Sequence, residues 1–500
     1  DTVNPEGYYI VLLSKDTNYL YDGTISNPKV TQNKYEYDSY GNTVKVTNEG
    51  DPNSVGDERY NFALYTYNTN NWIVDKLAHT HTTDASNNIL TEAWYFYDGH
   101  SVISDPPTKG DLTKEKHWLN TGTSPEIIRV YDSYGNIIQE LDPKMYVTSY
   151  EYDITHTFPI KETNPSGHIA RLQYDLGTGN LLSKTDPNGF VTRYVYDCYG
   201  RIIEEWRPYN TTSPVVQYRY PDYQIDGLAP DVVKVSYNMG GSKSLDKYTI
   251  IDGQNRVIQE RSNAENGGQI VSDTFYNNLG NVQKKTLPYL GSFSEQYVSP
   301  ANGKYYQYEY DPLDRVTKVY GPDTTIPPIQ LQYDHAKTSV TDENGHLKAY
   351  YSDAYDRITR IEEMNGTEIY TTNYKYNPMD KLVEITNHKG NTFTFLYDSL
   401  GRKISQSDID TGTWRYSYDL NGNIISLQDG RGITTSYRYD VLNRLSQVIY
   451  PHDPSIGYVY DIETKGTLSS VTDSAGSTRY YYDNGLRKIK EIRTMDTRTW

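Results

Sequence analysis

A single cysteine, Cys198, stands in 500 residues, which excludes an internal disulfide framework and any cysteine-built metal site. It reads as an incidental thiol in a turn. Hydrophobic residues make up only 36% of the chain, short of the ~45–50% usual in globular domains. Phenylalanine and tryptophan are scarce, at 8 and 6 copies. No apolar run approaches the roughly 18 residues of a membrane helix. Lysine and arginine (48) are outnumbered by aspartate and glutamate (65), leaving a formal charge of −17. That balance argues against a phosphate-backbone partner, which needs clustered cations, so no nucleic acid is expected. The chain starts at Asp1 and shows no charged stretch followed by an apolar one. It is read as an excised or mature segment, and low cysteine in a long β-protein fits a secreted or cell-surface bacterial product.

What the chain has instead is tyrosine, 53 copies of it. Each buries a large ring and keeps a hydroxyl that needs a partner, and Tyr, Val, Ile and Thr all favour strands. The tyrosines keep time. Tyr-Asp recurs at Tyr131, Tyr152, Tyr174 and Tyr196, 21 or 22 residues apart, and the same spacing returns at Tyr376, Tyr397, Tyr418, Tyr439, Tyr460 and Tyr482, with Asn377 replacing the first Asp. Tyr310-Asp311 and Tyr333-Asp334 lie between the arrays. Such regularity marks a repeat protein.

Each unit reads as two strands and two turns. In Tyr416-Ser417-Tyr418-Asp419 the two rings share one face of a strand, because side chains alternate. Asp132-Ser133-Tyr134-Gly135 predicts a type I turn with a bulge, in which Asp bonds the backbone two residues on and Gly supplies the left-handed conformation. Asp186-Pro187-Asn188-Gly189 predicts the turn at the other end. The residues expected to define the turns are Tyr131, Asp132 and Gly135; Tyr196, Asp197 and Gly200; Tyr397, Asp398 and Gly401; and Tyr418, Asp419 and Gly422. The clock divides the chain into first repeat-like strands (1–43), longer irregular β units (44–130), regular repeats (131–206), degenerate repeats (207–303) and regular repeats again (304–500), without linkers between independent domains.

About eighteen units predict about 36 strands and a sheet on the order of 170 Å wide at ~4.8 Å per strand. An open sheet of that width must curl, and a single ring would be roughly 55 Å across, far wider than side chains can fill. The predicted fold is therefore all-β: a long curved antiparallel sheet of hairpins spiralling into a hollow shell. A β-propeller, with about two units per blade, is the rival. Consecutive units look alike, whereas a blade should make alternate hairpins differ.

The units Tyr131-Asp132-Ser133-Tyr134-Gly135-Asn136, Tyr196-Asp197-Cys198-Tyr199-Gly200-Arg201 and Tyr397-Asp398-Ser399-Leu400-Gly401-Arg402 resemble the YD repeat of the rearrangement-hot-spot (Rhs) family. That family includes polymorphic toxins, the B and C components of bacterial toxin complexes, and teneurins. Gly56-Asp57-Glu58-Arg59, Asn71-Trp72-Ile73-Val74, Lys116-His117-Trp118-Leu119 and Phe158-Pro159-Ile160 with Thr163-Asn164-Pro165 resemble the B component of insecticidal-type toxin complexes more narrowly. The resemblance implies a non-catalytic shell enclosing a toxic polypeptide, from the protein's own C-terminal region or a separate C component, with a translocation or delivery component as a further partner. The closing core with its aspartyl self-cleavage site, present in Rhs proteins, is not recognised before Trp500.

No cofactor is expected. The repeat-borne Asp residues recur at every turn, whereas a catalytic carboxylate pair should be unique. His79 and His81 share a strand face, but two ligands do not make a zinc site. Asp419-Leu420-Asn421-Gly422-Asn423 lacks the Glu and the Gly spacing of a calcium loop. No Gly-x-Ser-x-Gly elbow or phosphate-binding loop occurs. Two other functions stay open: a carbohydrate-binding adhesin, stacking glycans on exposed Tyr ladders, and an enzyme with an unrecognised site. The first requires outward-facing rings; the second requires one unrepeated polar cluster in a pocket.

Overall fold

The computed structural model describes residues 2–3, 9–21, 28–54, 56–210, 212–220, 231–239, 244–265, 267–300, 303–495 and 498–499. Parts of the first and fourth sequence stretches, including residues 4–8, 22–27 and 221–230, lie outside the described residues. All the regular structure described is β. Apart from the short pair Thr2–Val3 and Tyr9–Ile10, every strand belongs to one antiparallel sheet in which each hairpin pairs with the next. The ladder has two ends. Among the described residues, Lys15–Leu20 pairs only with Lys29–Tyr37, and Arg498–Thr499 only with Lys488–Met495, so hydrogen bonds do not close the sheet into a barrel.

Register follows the repeat. Tyr397 lies opposite Lys403 while Leu396 lies opposite Ser405, so a bulge falls immediately before the Tyr, and it recurs at Tyr174, Tyr196, Tyr418 and Tyr439. The extra residue tightens the local twist and aims the ring along the sheet. Exposure alternates along Val191–Tyr196 and Thr392–Tyr397, with the rings on the half-buried face. On that face Tyr416 meets Leu427 and Tyr437 meets Val448. The opposite face carries small polar pairs such as Thr394 with Ser407 and Ser426 with Ser436.

The wall is thin. A compact chain of 57.5 kDa would expose about 19,000 Å², yet this one exposes 29917 Å². A surplus of this size means that both sheet faces stay open along most of the wall. Few side chains are fully buried, and they concentrate between Tyr248 and Asp273. There the strands lengthen to eight residues (Asp231–Asn238, Ser244–Ile251, Gln269–Tyr276), and the segment from Ser292 to Val298 lies across one face as a strap.

The sheet also turns more than once. Ser399 binds Asn120, Lys144 binds Asp419 and Asn188 binds Lys465, at chain separations of 275–279 residues. About 24 strands separate the rims that meet, which is ~115 Å of wall and roughly 37 Å across as a ring. The single ring of roughly 55 Å is not what forms; the sheet spirals, as the sequence predicts. A second winding takes up the remainder.

Candidate functional site

The recurring device of the molecule is the Tyr-Asp turn, and its chemistry can be followed atom by atom at Asp398. Its backbone N–H donates to the Arg402 carbonyl (3.0 Å), and the Gly401 N–H donates to the Asp398 carbonyl (2.9 Å). One carboxylate oxygen accepts the N–H groups of Leu400 (3.0 Å) and Arg402 (2.9 Å), and the other accepts Arg402 Nε (2.7 Å). Gly401 sits at φ +75°, where a side chain is disfavoured. Asp314, Asp356, Asp380 and Asn443 take the same conformation in other units. Asp and Asn tolerate it better than other side-chain-bearing residues.

The same bonds form around the other three turns. Asp132 accepts from the N–H groups of Tyr134 and Asn136 and from the Asn136 amide; Asp197 from Tyr199, Arg201 and Arg201 Nε; Asp419 from Asn423 N–H and its amide. Gly135, Gly200 and Gly422 have φ of +88°, +77° and +86°. At Asp132, Asp197 and Asp419 desolvation opposes ionisation, yet the donors around each carboxyl hold it below the usual carboxylate range. Asn377 makes the two backbone contacts with Met379 and Lys381 through its amide oxygen, so the turn requires the acceptor and not the charge.

Tyrosine links each unit to the one before it. Tyr131, Tyr196, Tyr397 and Tyr418 donate their hydroxyls to the carbonyls of Leu112, Leu181, Leu382 and Lys403 at 3.0, 2.8, 3.0 and 2.6 Å. Each of these acceptors is the first residue of a strand leaving the preceding Tyr-Asp turn. Arginine then links each unit to the one after it. The Arg402 guanidinium lies 4.7 Å from the Tyr418 ring centre and donates to the Asp419 carbonyl, and Arg444 lies 4.3 Å from the ring of Tyr460. A contact of this kind contributes about 0.5–1 kcal/mol when exposed and more as it is desolvated. The arginines belong to the repeat motif, but their stacking on the following ring is not readable from one unit alone.

These turns do not converge on one centre. They stand in a row along one rim of the wall, and in the second winding that rim meets the opposite rim of the first. Ser399 donates to the Trp118 carbonyl (2.7 Å) while its N–H is accepted by Asn120 (3.0 Å). Lys144 reaches Asp419 (3.1 Å), and Arg487 lies 3.9 Å from the Tyr209 ring centre. Tyr355 donates to the carbonyls of Asn48 and Asp57 beneath the Arg59 guanidinium, which pairs with Asp380. Burial pushes the Tyr355 phenol up to about 12 against the opposing effect of Arg59. Side chains and turn carbonyls thus join the windings, with no strand pairing between them among the described residues.

His79 and His81 stack together and against Trp94 and Phe62, and His79 pairs with Glu92 at 2.8 Å. Among the described residues, no three His, Cys, Asp or Glu side chains converge as a metal site would require.

Comparison with known proteins agrees with this geometry. The RHS Repeat family model matches residues 174–212, 397–434 and 418–453. No curated protein is significantly similar in sequence. Among solved structures, TcdB2-TccC3 is 14% identical over 96% of this chain with a TM-score of 0.81. TcdB2-TccC3-Cdc42 is 13% identical over 97% with a TM-score of 0.79. The Photorhabdus luminescens Tc holotoxin pore is 14% identical over 96% with a TM-score of 0.80. This chain covers 33%, 36% and 35% of those chains, so it spans about a third of their length. At such identity the likeness is one of fold.

Proposed function

We propose that this chain, with its matches to the RHS Repeat model and its likeness in fold to toxin-complex structures, is a structural section of a container wall. That wall encloses a toxic polypeptide, supplied by the C-terminal region of the same protein or by a separate C component. The whole container is secreted or surface-bound and engages a delivery component. This section performs no chemistry of its own.

The observation that carries this reading is the excess of open surface, 29917 Å² on a 57.5 kDa chain. A wall with both faces free has backbone groups paired in the ladder and needs no filled interior. The adhesin reading has less support, because Tyr131, Tyr196, Tyr397 and Tyr418 are half-buried and their hydroxyls are engaged with carbonyls. Rings held that way offer sugars no exposed ladder along the strands.

An electron-microscopy map of the complete parent protein tests the proposal. Polypeptide density inside the wound repeats is the expected result. A wound wall with an empty lumen, in a parent that retains its C-terminal region, would refute containment.

A further inference from the structure

The two windings place the same turn in two environments. In the second winding, the large side chains at the tips of the Tyr-Asp turns, Tyr355, Met379, Leu400 and Leu442, are half-buried, with the rim of the first winding running beneath their row. Ile462, in a longer turn that runs from Asp461 to Thr467, and Leu486, in the turn above Tyr209, are exposed at 59% and 40%. In the first winding the equivalent tips face open solvent. Tyr134 is 66% exposed, Ile154 90%, Leu176 57% and Tyr199 74%. Leu279, which stands too early in the chain for a described winding to lie beneath it, is 78% exposed. At the third turn position, held by Tyr134, Tyr199 and Leu279 on the open side and by Tyr355, Met379, Leu400 and Leu442 in the seam, exposure therefore tracks whether an opposite rim is present. Four large apolar tips in a row on a rim that is elsewhere an interface form a docking surface rather than scattered surface residues.

Resting on the shell reading, we propose that this open rim docks the opposite rim of a further winding of RHS-repeat wall, which a second copy of this chain presents from its other end. The chemistry matches the seam already formed. Asp132 with Asn136 repeats the Asp419–Asn423 pair that receives Lys144. On the far rim of the second winding, Lys389 and Arg431 occupy the third turn position that Lys144 holds in the first, and both are exposed. Such a contact is head-to-tail, so it extends along the winding axis instead of closing a dimer.

The chain carries its own reporter. Cys198, its single cysteine, is exposed on this rim beside Tyr199. The test follows alkylation of Cys198 by N-ethylmaleimide together with sedimentation velocity, on the full chain from micromolar concentration upward. Two double variants accompany it: Tyr134→Ser with Ile154→Ser, and Leu176→Ser with Tyr199→Ser. The expected result is concentration-dependent association, at least ten-fold slower alkylation in the associated form, and loss of both effects in either variant. A chain that stays monomeric overturns the proposal, as does association that leaves Cys198 fully reactive or persists in both variants. Protection of Cys198 by added oligosaccharide without association would assign the rim to sugars and also overturn it. Failure of containment would appear as an empty lumen in the parent, a readout that these measurements do not touch.

Discussion

The repeat wall from Asn373 to Tyr460 and the strapped stretch from Asp231 to Val298 are parts of one sheet stabilised in different ways. In the wall each unit closes its own turn, and Tyr and Arg tie it to its neighbours, with almost nothing fully buried. Under the strap the sheet has an interior, in which Tyr248, Ile250 and Val271 lie beside a polar network. Arg261 donates to Gln269 (2.7 Å), Gln259 (3.0 Å) and the Ser292 carbonyl (2.5 Å), while Gln259 binds Asp273 (2.6 Å) and both backbone groups of Val298. Tyr289 closes the network on Asp273 at 2.8 Å. A repeated surface spreads its stability thinly over many equal links. A buried polar network concentrates it in a few groups that must all be satisfied.

Removing one member of that network should therefore show the largest effect. Arg261→Ala leaves several buried acceptors unpaired and is expected to cost about 3–5 kcal/mol, read as lost hydrogen-exchange protection across Val257–Asn263 and the strap. A loss confined to less than 1 kcal/mol would mean that the strap is no more cooperative than the wall. In the wall, Asp398→Ala should cost about 1–3 kcal/mol, measured by denaturant unfolding, with protection lost locally and at Trp118–Asn120 across the seam. Asp398→Asn should keep the two backbone bonds, as Asn377 does in its own unit, but weaken the ion pair with Arg402, and so should cost less than the alanine change. Tyr418→Phe, which deletes only the bond to the Lys403 carbonyl, should cost about 1 kcal/mol.

Acid should produce the most diffuse change. The Thr155 hydroxyl and then the Phe158 N–H hold Asp153 down to about 2, and Asp132 and Asp197 are also lowered. A carboxyl depressed in the folded state contributes stability above its ordinary value near 3.8, and that contribution fades as pH falls toward 2. Far-ultraviolet circular dichroism between pH 5 and 2 should show gradual loss from the turns. A titration with no change above pH 2 would mean that the carboxylates do not support them.

The turns were legible because Asp, Gly and Asn at fixed offsets have local reasons to be there, and Tyr-x-Tyr declares its face by alternation. The role of Arg402 was half legible. Its place in the motif is plain, but the ring it covers belongs to the next unit. The seam was not legible, because Ser399 and Asn120 lie 279 residues apart and nothing local says which rim will lie below which. The strap was hidden for another reason. Ser292 to Val298 falls in the stretch read as degenerate repeats, and no strand period there shows that it covers buried side chains.

From Trp118 onward the seam keeps a near-constant separation of 275–281 residues, which constrains how such a chain can change. Ser399, Asp419 and Lys465 each engage one tooth of the winding below, as meshed gears do. Duplicating or losing a single repeat between Asn188 and Ser399 would leave every hairpin intact and still advance the whole upper winding by one tooth, trading all of these partners at once. Sequence within a unit can drift freely so long as its turn survives. The number of units in a circuit cannot, which makes repeat count, rather than any residue, the inherited dimension of the wall.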